Sequence, residues 1–270
     1  TKGMLAGFQE MGYEIGGFDA YITSNVISAA GVSSSASYEM LICSMINTFF
    51  NGGSMDVVAY AHVGKYAENH YWNKASGLLD QMACAVGGMI TIDFKNPQEP
   101  VVEKIDYDFG AQDYSLIIVQ TGKGHADLSE EYSSIPQEMK KVAAVFGKEV
   151  LAEVSEEEVL ADVKRVMKEA GDRPLLRALH FFEENKRVEA EVAALKENRF
   201  NDFLGLITES GNSSWKWLQN CYVGGSAEQG ITAALALTEL FIKEKGRGAC
   251  RVHGGGFAAV IMARLPNDLV

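Results

Sequence analysis

Gly31-Val32-Ser33-Ser34-Ser35-Ala36-Ser37 is the stretch on which the reading of this chain turns. Before it, Asp19 to Val26 is rich in β-branched and aromatic residues, which predicts a strand. After it, Ala36 to Phe50 is mostly apolar and predicts a helix, stopped by Asn51-Gly52-Gly53. A helix start offers free backbone N–H groups and the positive end of its dipole, and both attract anions. Small residues let a phosphate approach the backbone, and serine hydroxyls add hydrogen bonds and can ligate a divalent cation. A plain serine N-cap would account for one of the three consecutive serines. No Gly-Lys-Ser/Thr is present, so this is not the usual P-loop, and no lysine reaches the phosphates from this turn.

Downstream, Ser54 is the expected cap of a helix from Met55 to Trp72, which carries Glu68. A loop with Asn73, Lys74, Ser76 and Gly77 leads into a short helix, Leu78 to Val86. Asp80 stands there between Leu79 and Met82, and an acid in apolar surroundings is costly unless paired or functional. Transfer of phosphate to an alcohol needs a metal on the phosphate oxygens and a carboxylate at the acceptor hydroxyl. Asp80 and Glu68 are the candidates. The plain alternatives are a helix N-terminal acid for Asp80 and a surface acid for Glu68. Gly87-Gly88 ends the helix, Met89 to Phe94 predicts a strand, and Asn96-Pro97-Gln98-Glu99-Pro100 a bend.

A domain change is expected near residue 112, giving units 1–112 and 113–270. Ser115 to Gln120 reads as a strand, and helices dominate afterwards. Ser155-Glu156-Glu157-Glu158 is a capping-box signature, and Asp172-Arg173-Pro174 breaks one helix and starts the next. Gly224-Gly225-Ser226 precedes an apolar helix through Ile242. Ala249 to Val252 is a short strand running into Gly254-Gly255-Gly256, with Phe257 to Ala263 after it. Three glycines let a backbone pack against another loop or a ligand. Strands and helices mix without strict alternation, which favours α+β over a doubly wound sheet.

Composition narrows the function classes. A chain of 270 residues that is 47% hydrophobic can build a substantial core. A net charge of -12 argues against nucleic acid and anionic membrane surfaces as partners, and no apolar run is long enough to span a bilayer. The acidic runs Glu153–Glu158 and Glu183–Glu191 read as solvated helix faces. Cys43, Cys84, Cys221 and Cys250 form no paired motif, and the five histidines show no metal-ligand spacing, so reduced thiols in a cytoplasmic protein are expected. Thr1-Lys2-Gly3-Met4-Leu5 reads as the middle of a helix or turn, and the chain is expected to be a fragment.

Together, the motifs resemble the galactokinase branch of the GHMP small-molecule kinases over nearly the whole chain. The family's Gly-Leu-Ser-Ser-Ser-Ala-Ser stands here as Gly31 to Ser37, with Val32 for leucine. Its Ala-Glu followed by Gly-Ile-Met-Asp-Gln stands as Ala67-Glu68 and Gly77-Leu78-Leu79-Asp80-Gln81. The segment from His125 to Glu131-Tyr132 is similar to the one carrying a sugar-contacting tyrosine. Glu209-Ser210 with Ser213-Ser214 is similar to a helical Glu-Ser element, and Gly254 to Phe257 to the third motif.

The resemblance implies a two-domain GHMP-kinase-like α+β fold. Its N-terminal domain, of the ribosomal-S5-domain-2 type, would be truncated here, with an α+β C-terminal domain and the active site between the two. It also implies ATP and Mg²⁺ as cofactors and phosphorylation of galactose at O1. The backbone of Gly31, Val32, Ser33, Ser34, Ser35 and Ala36 would hold the ATP phosphates. Ser34 or Ser35, with Glu68, would ligate Mg²⁺, and Gly77, Asp80 and Tyr132 would contact the sugar. Asp80 would either take the proton of the anomeric hydroxyl or stabilise the site electrostatically. Another sugar 1-kinase, acting on N-acetylgalactosamine, arabinose or a uronic acid, and a non-catalytic sugar and ATP sensor are the alternatives. The chain departs from the family pattern at Ile27 and Ala29, at Ser133-Ser134-Ile135-Pro136, at Gly211, and at Ala258 and Ala259. The first family motif, with its sugar-binding residues, is expected upstream of Thr1.

Overall fold

The computed structural model describes residues 1–26, 31–73, 76–96, 98–121, 128–257 and 260–270. Ile27, Ala29, Lys74, Pro97, His125, Ala258 and Ala259, all used in the sequence reading, lie outside the described residues. The chain divides into two compact units, Thr1–Asp106 and Tyr107–Val270.

The first unit contains helices α1 (Lys2–Glu10), α2 (Ser34–Phe50), α3 (Val57–Tyr71) and α4 (Leu79–Val86), then strands β1 (Met89–Asp93) and β2 (Val101–Ile105). The strands pair antiparallel with Met89 opposite Ile105. Met4, Phe8, Met40, Cys43, Ile46 and Val63 form the main core. Ala61, Leu78 and Met82 form a second one, against which Ile90, Ile92 and Val102 of the hairpin pack. The cap of α3 is Asp56, whose carboxylate accepts from the Ala59 amide at 2.8 Å, and not Ser54. Asp56 is one residue before the first helical turn, where its oxygen can reach the third amide; Ser54 is too far upstream.

The strand expected over Asp19 to Val26 does not form. A strand is held by ladder bonds to a neighbour, and among the described residues none pairs with this segment. Tyr21 is 94% exposed, and the Val26 amide turns back to Ser24 Oγ at 3.0 Å.

The second unit contains β3 (Tyr114–Gln120), α5 (Ser129–Val145), α6 (Glu156–Ala161), α7 (Val163–Glu169), α8 (Asp172–Lys196), α9 (Phe200–Ser213), α10 (Gly230–Lys245), β4 (Ala249–Val252) and β5 (Val260–Pro266). The sheet is antiparallel in the order β3-β5-β4, with Ile117 opposite Ala263 and Cys250 opposite the same residue. Its core side is Val252, Ile261, Ala263 and Leu265 against Ile231 and Leu235 of α10. A helical core gathers Val142, Val159, Val166 and Ala178. The expected capping box is present: Ser155 and Glu158 bond each other's backbone amides. The architecture is α+β, and no described helix is long and apolar enough to cross a membrane.

Candidate functional site

The serine turn stands where a phosphate could reach it. Gly31 (φ +73°) and Ser33 (φ +57°) adopt the left-handed backbone that turns the chain into α2. Gly31 to Ser35 are exposed or half-buried, Ala36 packs inward, and the first turn of α2 contains no acid to oppose an anion. The Ser37 amide bonds the Ser33 carbonyl, closing the first helical turn. The amides before it face outward from the helix start.

Glu68 is not a surface acid. It lies near the end of α3, 4% exposed, and accepts a hydrogen bond from Ser35 Oγ at 3.3 Å. The serine turn and the carboxylate expected to bind metal are thereby joined directly, through Ser35. Asp80 differs in the opposite sense: it is exposed, as is Leu79, in the first turn of α4. The residues of that turn that go inward are Leu78, Gln81 and Met82. The desolvation argument for Asp80 therefore fails, because the helix rotates the acid to solvent. A carboxylate at this position is favoured by the helix dipole. Asp80 sits beside Gln81, whose Nε2 donates to Glu39 Oε2 of α2 at 3.3 Å. Gln81, the residue after Asp80, is thus bonded to α2, the helix that the serine turn heads.

Gly77 precedes this helix, exposed, and a side chain there would meet open space, so protein packing alone does not require glycine. The adjacent Ser76 amide is pinned to α3 by Asn69 Oδ1 at 2.9 Å.

Tyr132, on α5 in the second unit, donates its hydroxyl to the Gly256 carbonyl at 2.6 Å. Burial pushes its phenol up to about 12, so it stays neutral. Its ring fills the space that a side chain at Gly255 would need, with a hypothetical Cβ only 2.5 Å from the ring. Asn220 grips the same turn: its Nδ2 donates to the Gly255 carbonyl at 3.2 Å, and its own carbonyl accepts from the Phe257 amide. The third motif is therefore a clamped turn. Ser210 and Ser213 serve a buried network. Ser210 donates to Glu184 and accepts from Arg251, while Ser213 Oγ lies 2.9 Å from His180 Nδ1. Gly211 lets α9 lie against β4, since a Cβ there would be 3.0 Å from that of Arg251.

Three residues escaped the sequence reading: Glu39, Arg177 and Asn220. All are buried polar groups. Glu39 had a signal, an acid four residues after Ser35 in a mostly apolar helix. The other two lie in stretches whose burial only tertiary packing reveals. Among the described residues no three His, Cys, Asp or Glu side chains assemble into a metal-binding group. The donors fit Mg²⁺ bound chiefly through nucleotide phosphates, with one carboxylate and a serine hydroxyl completing the shell. A cavity of about 220 Å³, lined by Tyr114, Thr208 and Arg247 among others, contains none of the expected site residues.

Residues 1–88 match the family model for the GHMP kinases N terminal domain. A galactokinase of Clostridium perfringens (strain SM101) is 31% identical over 100% of this chain and 67% of its own length. Galactokinases of Clostridium tetani and Pyrococcus furiosus are 32% and 29% identical, over 77% and 99% of this chain. The chain spans about half of the first of these relatives, 53%, and 70% of the second. The crystal structure of Lactococcus lactis galactokinase complexed with galactose shares the fold. It has a TM-score of 0.75 at 24% identity, covering 99% of this chain and 66% of that one.

Proposed function

Because the chain belongs to the galactokinase family of the GHMP kinases, we propose that the protein carrying it transfers the γ-phosphate of ATP to O1 of galactose. The observation that carries this reading is the Ser35–Glu68 hydrogen bond at the accessible head of α2, in the same unit as Asp80. In this reading the amides of Gly31 to Ala36 take the phosphate oxygens at the positive end of α2. Ser35, or its neighbour Ser34, and Glu68 would hold Mg²⁺, which when bound neutralises charge on those oxygens.

The acceptor oxygen O1 attacks the γ-phosphorus, the bond to the β,γ-bridging oxygen breaks, and ADP leaves. The O1 proton passes to Asp80 or, if Asp80 acts only by its charge, to solvent. Gly77, with no side chain, leaves room for the sugar beside α4. Tyr132, whose hydroxyl donates to the Gly256 carbonyl, is the residue of the second unit assigned to sugar contact in this reading.

The test is ADP release by the intact protein with Mg-ATP and a panel of galactose, N-acetylgalactosamine, arabinose and galacturonic acid. Galactose should turn over best. A strong preference for another member would reassign the substrate. Binding of sugar and ATP with no phosphorylated product would replace the kinase by a sensor.

A further inference from the structure

Helices α2, α3 and α4 meet at Gly64, in the middle of α3. A Cβ at this position would lie 2.8 Å from Gln81 Cγ, 2.9 Å from Glu39 Oε2 and 3.0 Å from Met40 Cε. The Gln81–Glu39 hydrogen bond therefore crosses directly over the α3 backbone, in a space that only glycine leaves open. Both partners are buried, Gln81 at 2% and Glu39 at 7% exposure. Glu39 follows Ser35 by four residues, so both face the same side of α2. From that side Ser35 reaches α3 at Glu68 and Glu39 reaches α4 at Gln81.

Asp80 itself is exposed, so its place depends on the backbone of the first turn of α4. Leu78 and Met82 hold that turn by apolar contact, which is non-directional. A hydrogen bond has a direction and a length, and the one from Gln81 is next to Asp80 in sequence. Cys84 lies one turn after Asp80 on the same helix. Burial raises its thiol pKa, and the charges of Asp80 and Glu39 raise it further.

We propose that Glu39 is a positioning residue: its hydrogen bond with Gln81 sets where Asp80 stands relative to the phosphate turn. The proposal rests on the reading of Asp80 as the carboxylate at the acceptor hydroxyl. Misplacing such a group by about an ångström costs on the order of 100-fold in rate, while leaving ground-state binding intact.

The test compares Glu39→Ala, Glu39→Gln and Gln81→Ala in the intact protein. Glu39→Ala and Gln81→Ala should lower kcat by about 10- to 100-fold, with KM for ATP and sugar changed by less than about threefold. Glu39→Gln keeps an oxygen that can accept from Gln81 and should retain kcat within about threefold. Hydrogen exchange supplies an activity-independent readout: in Glu39→Ala the amides of residues 80–84 should exchange faster, while those of residues 61–67 in α3 keep their protection. Unchanged kcat or unchanged exchange in α4 would overturn the proposal, as would Glu39→Gln being as impaired as Glu39→Ala. A wild-type protein that phosphorylates no sugar would sink the kinase reading instead, and hydrogen exchange would still decide whether the Glu39–Gln81 bond holds α4.

Discussion

Guanidinium groups reach the inward-facing acids of the second unit, and a hydroxyl and an amide reach those of the first. In the second unit the buried Glu138 bonds Arg173 and Arg177, and the half-buried Glu184 bonds Arg187 and Arg251 together with the Ser210 hydroxyl. In the first unit, the bonds to Glu68 and Glu39 described above come from neutral donors, a serine hydroxyl and a glutamine amide. A buried ion pair is costly to break from one side, because a charge is left behind. A neutral donor gives less energy but a definite direction, and a serine can turn to a new partner. The expectation is that the ion pairs of the second unit serve integrity, and that the Ser35–Glu68 and Gln81–Glu39 bonds of the first serve placement. Mutations should divide accordingly, into those that unfold and those that silence.

The largest effect is expected at Arg177, which is 1% exposed and donates to the Leu218 carbonyl, Ser134 Oγ and Glu138. Arg177→Ala should cost about 3–5 kcal/mol in urea unfolding. A loss below about 1 kcal/mol would erase the contrast between the units. Next, Glu68→Gln should lower kcat/KM by about 10- to 100-fold, as expected for a group that holds or orients a metal. Its unfolding midpoint should move little. A variant that unfolds readily yet keeps its specific activity would place Glu68 with the structural acids.

A smaller effect should appear in the pH dependence of stability. Burial lowers the His180 pKa to about 4, the Glu184 charge opposing and those of Arg251 and Arg187 adding to the shift. The unfolded histidine binds a proton that the folded one refuses, so this contribution is complete above 6.5 and lost as pH falls towards about 4. Glu191 behaves in reverse. Burial raises it to about 7, and there the folded state binds the extra proton, so stability falls as pH rises from 4.5 to about 7. Over this shared range the two contributions largely cancel, so urea titrations should show stability rising with pH in Glu191→Gln and falling with pH in His180→Asn. The smallest effect belongs to Arg165, 47% exposed, whose pairs with Asp162 and Glu169 are screened by solvent. Arg165→Lys should change stability by less than about 1 kcal/mol.

Much of the fold could be read from local signals. The serine turn heads α2, Gly87 ends α4 in the left-handed region, and Ser155 caps α6. Elements that depend on partners were harder. Asp19 to Val26 has strand composition but finds no ladder among the described residues, while Val101–Ile105 became β2 by pairing with β1. Within the site, residue types were legible and burial was not. Asp80 looked buried and is exposed; Glu68 looked exposed and is buried. Which way a helix turns depends on what packs against it, and a single sequence carries that only through its apolar stripe. Glu39 was missed because its neighbours Gly64 and Gln81 come from two other helices.

The most direct test of the account is one variant measured two ways. Asp80→Asn in the intact protein should reduce galactose-dependent ADP release by about 100- to 10,000-fold, while its unfolding midpoint matches the wild type because Asp80 is exposed. Turnover close to the wild-type rate, or a loss of activity matched by a loss of folding, would contradict it.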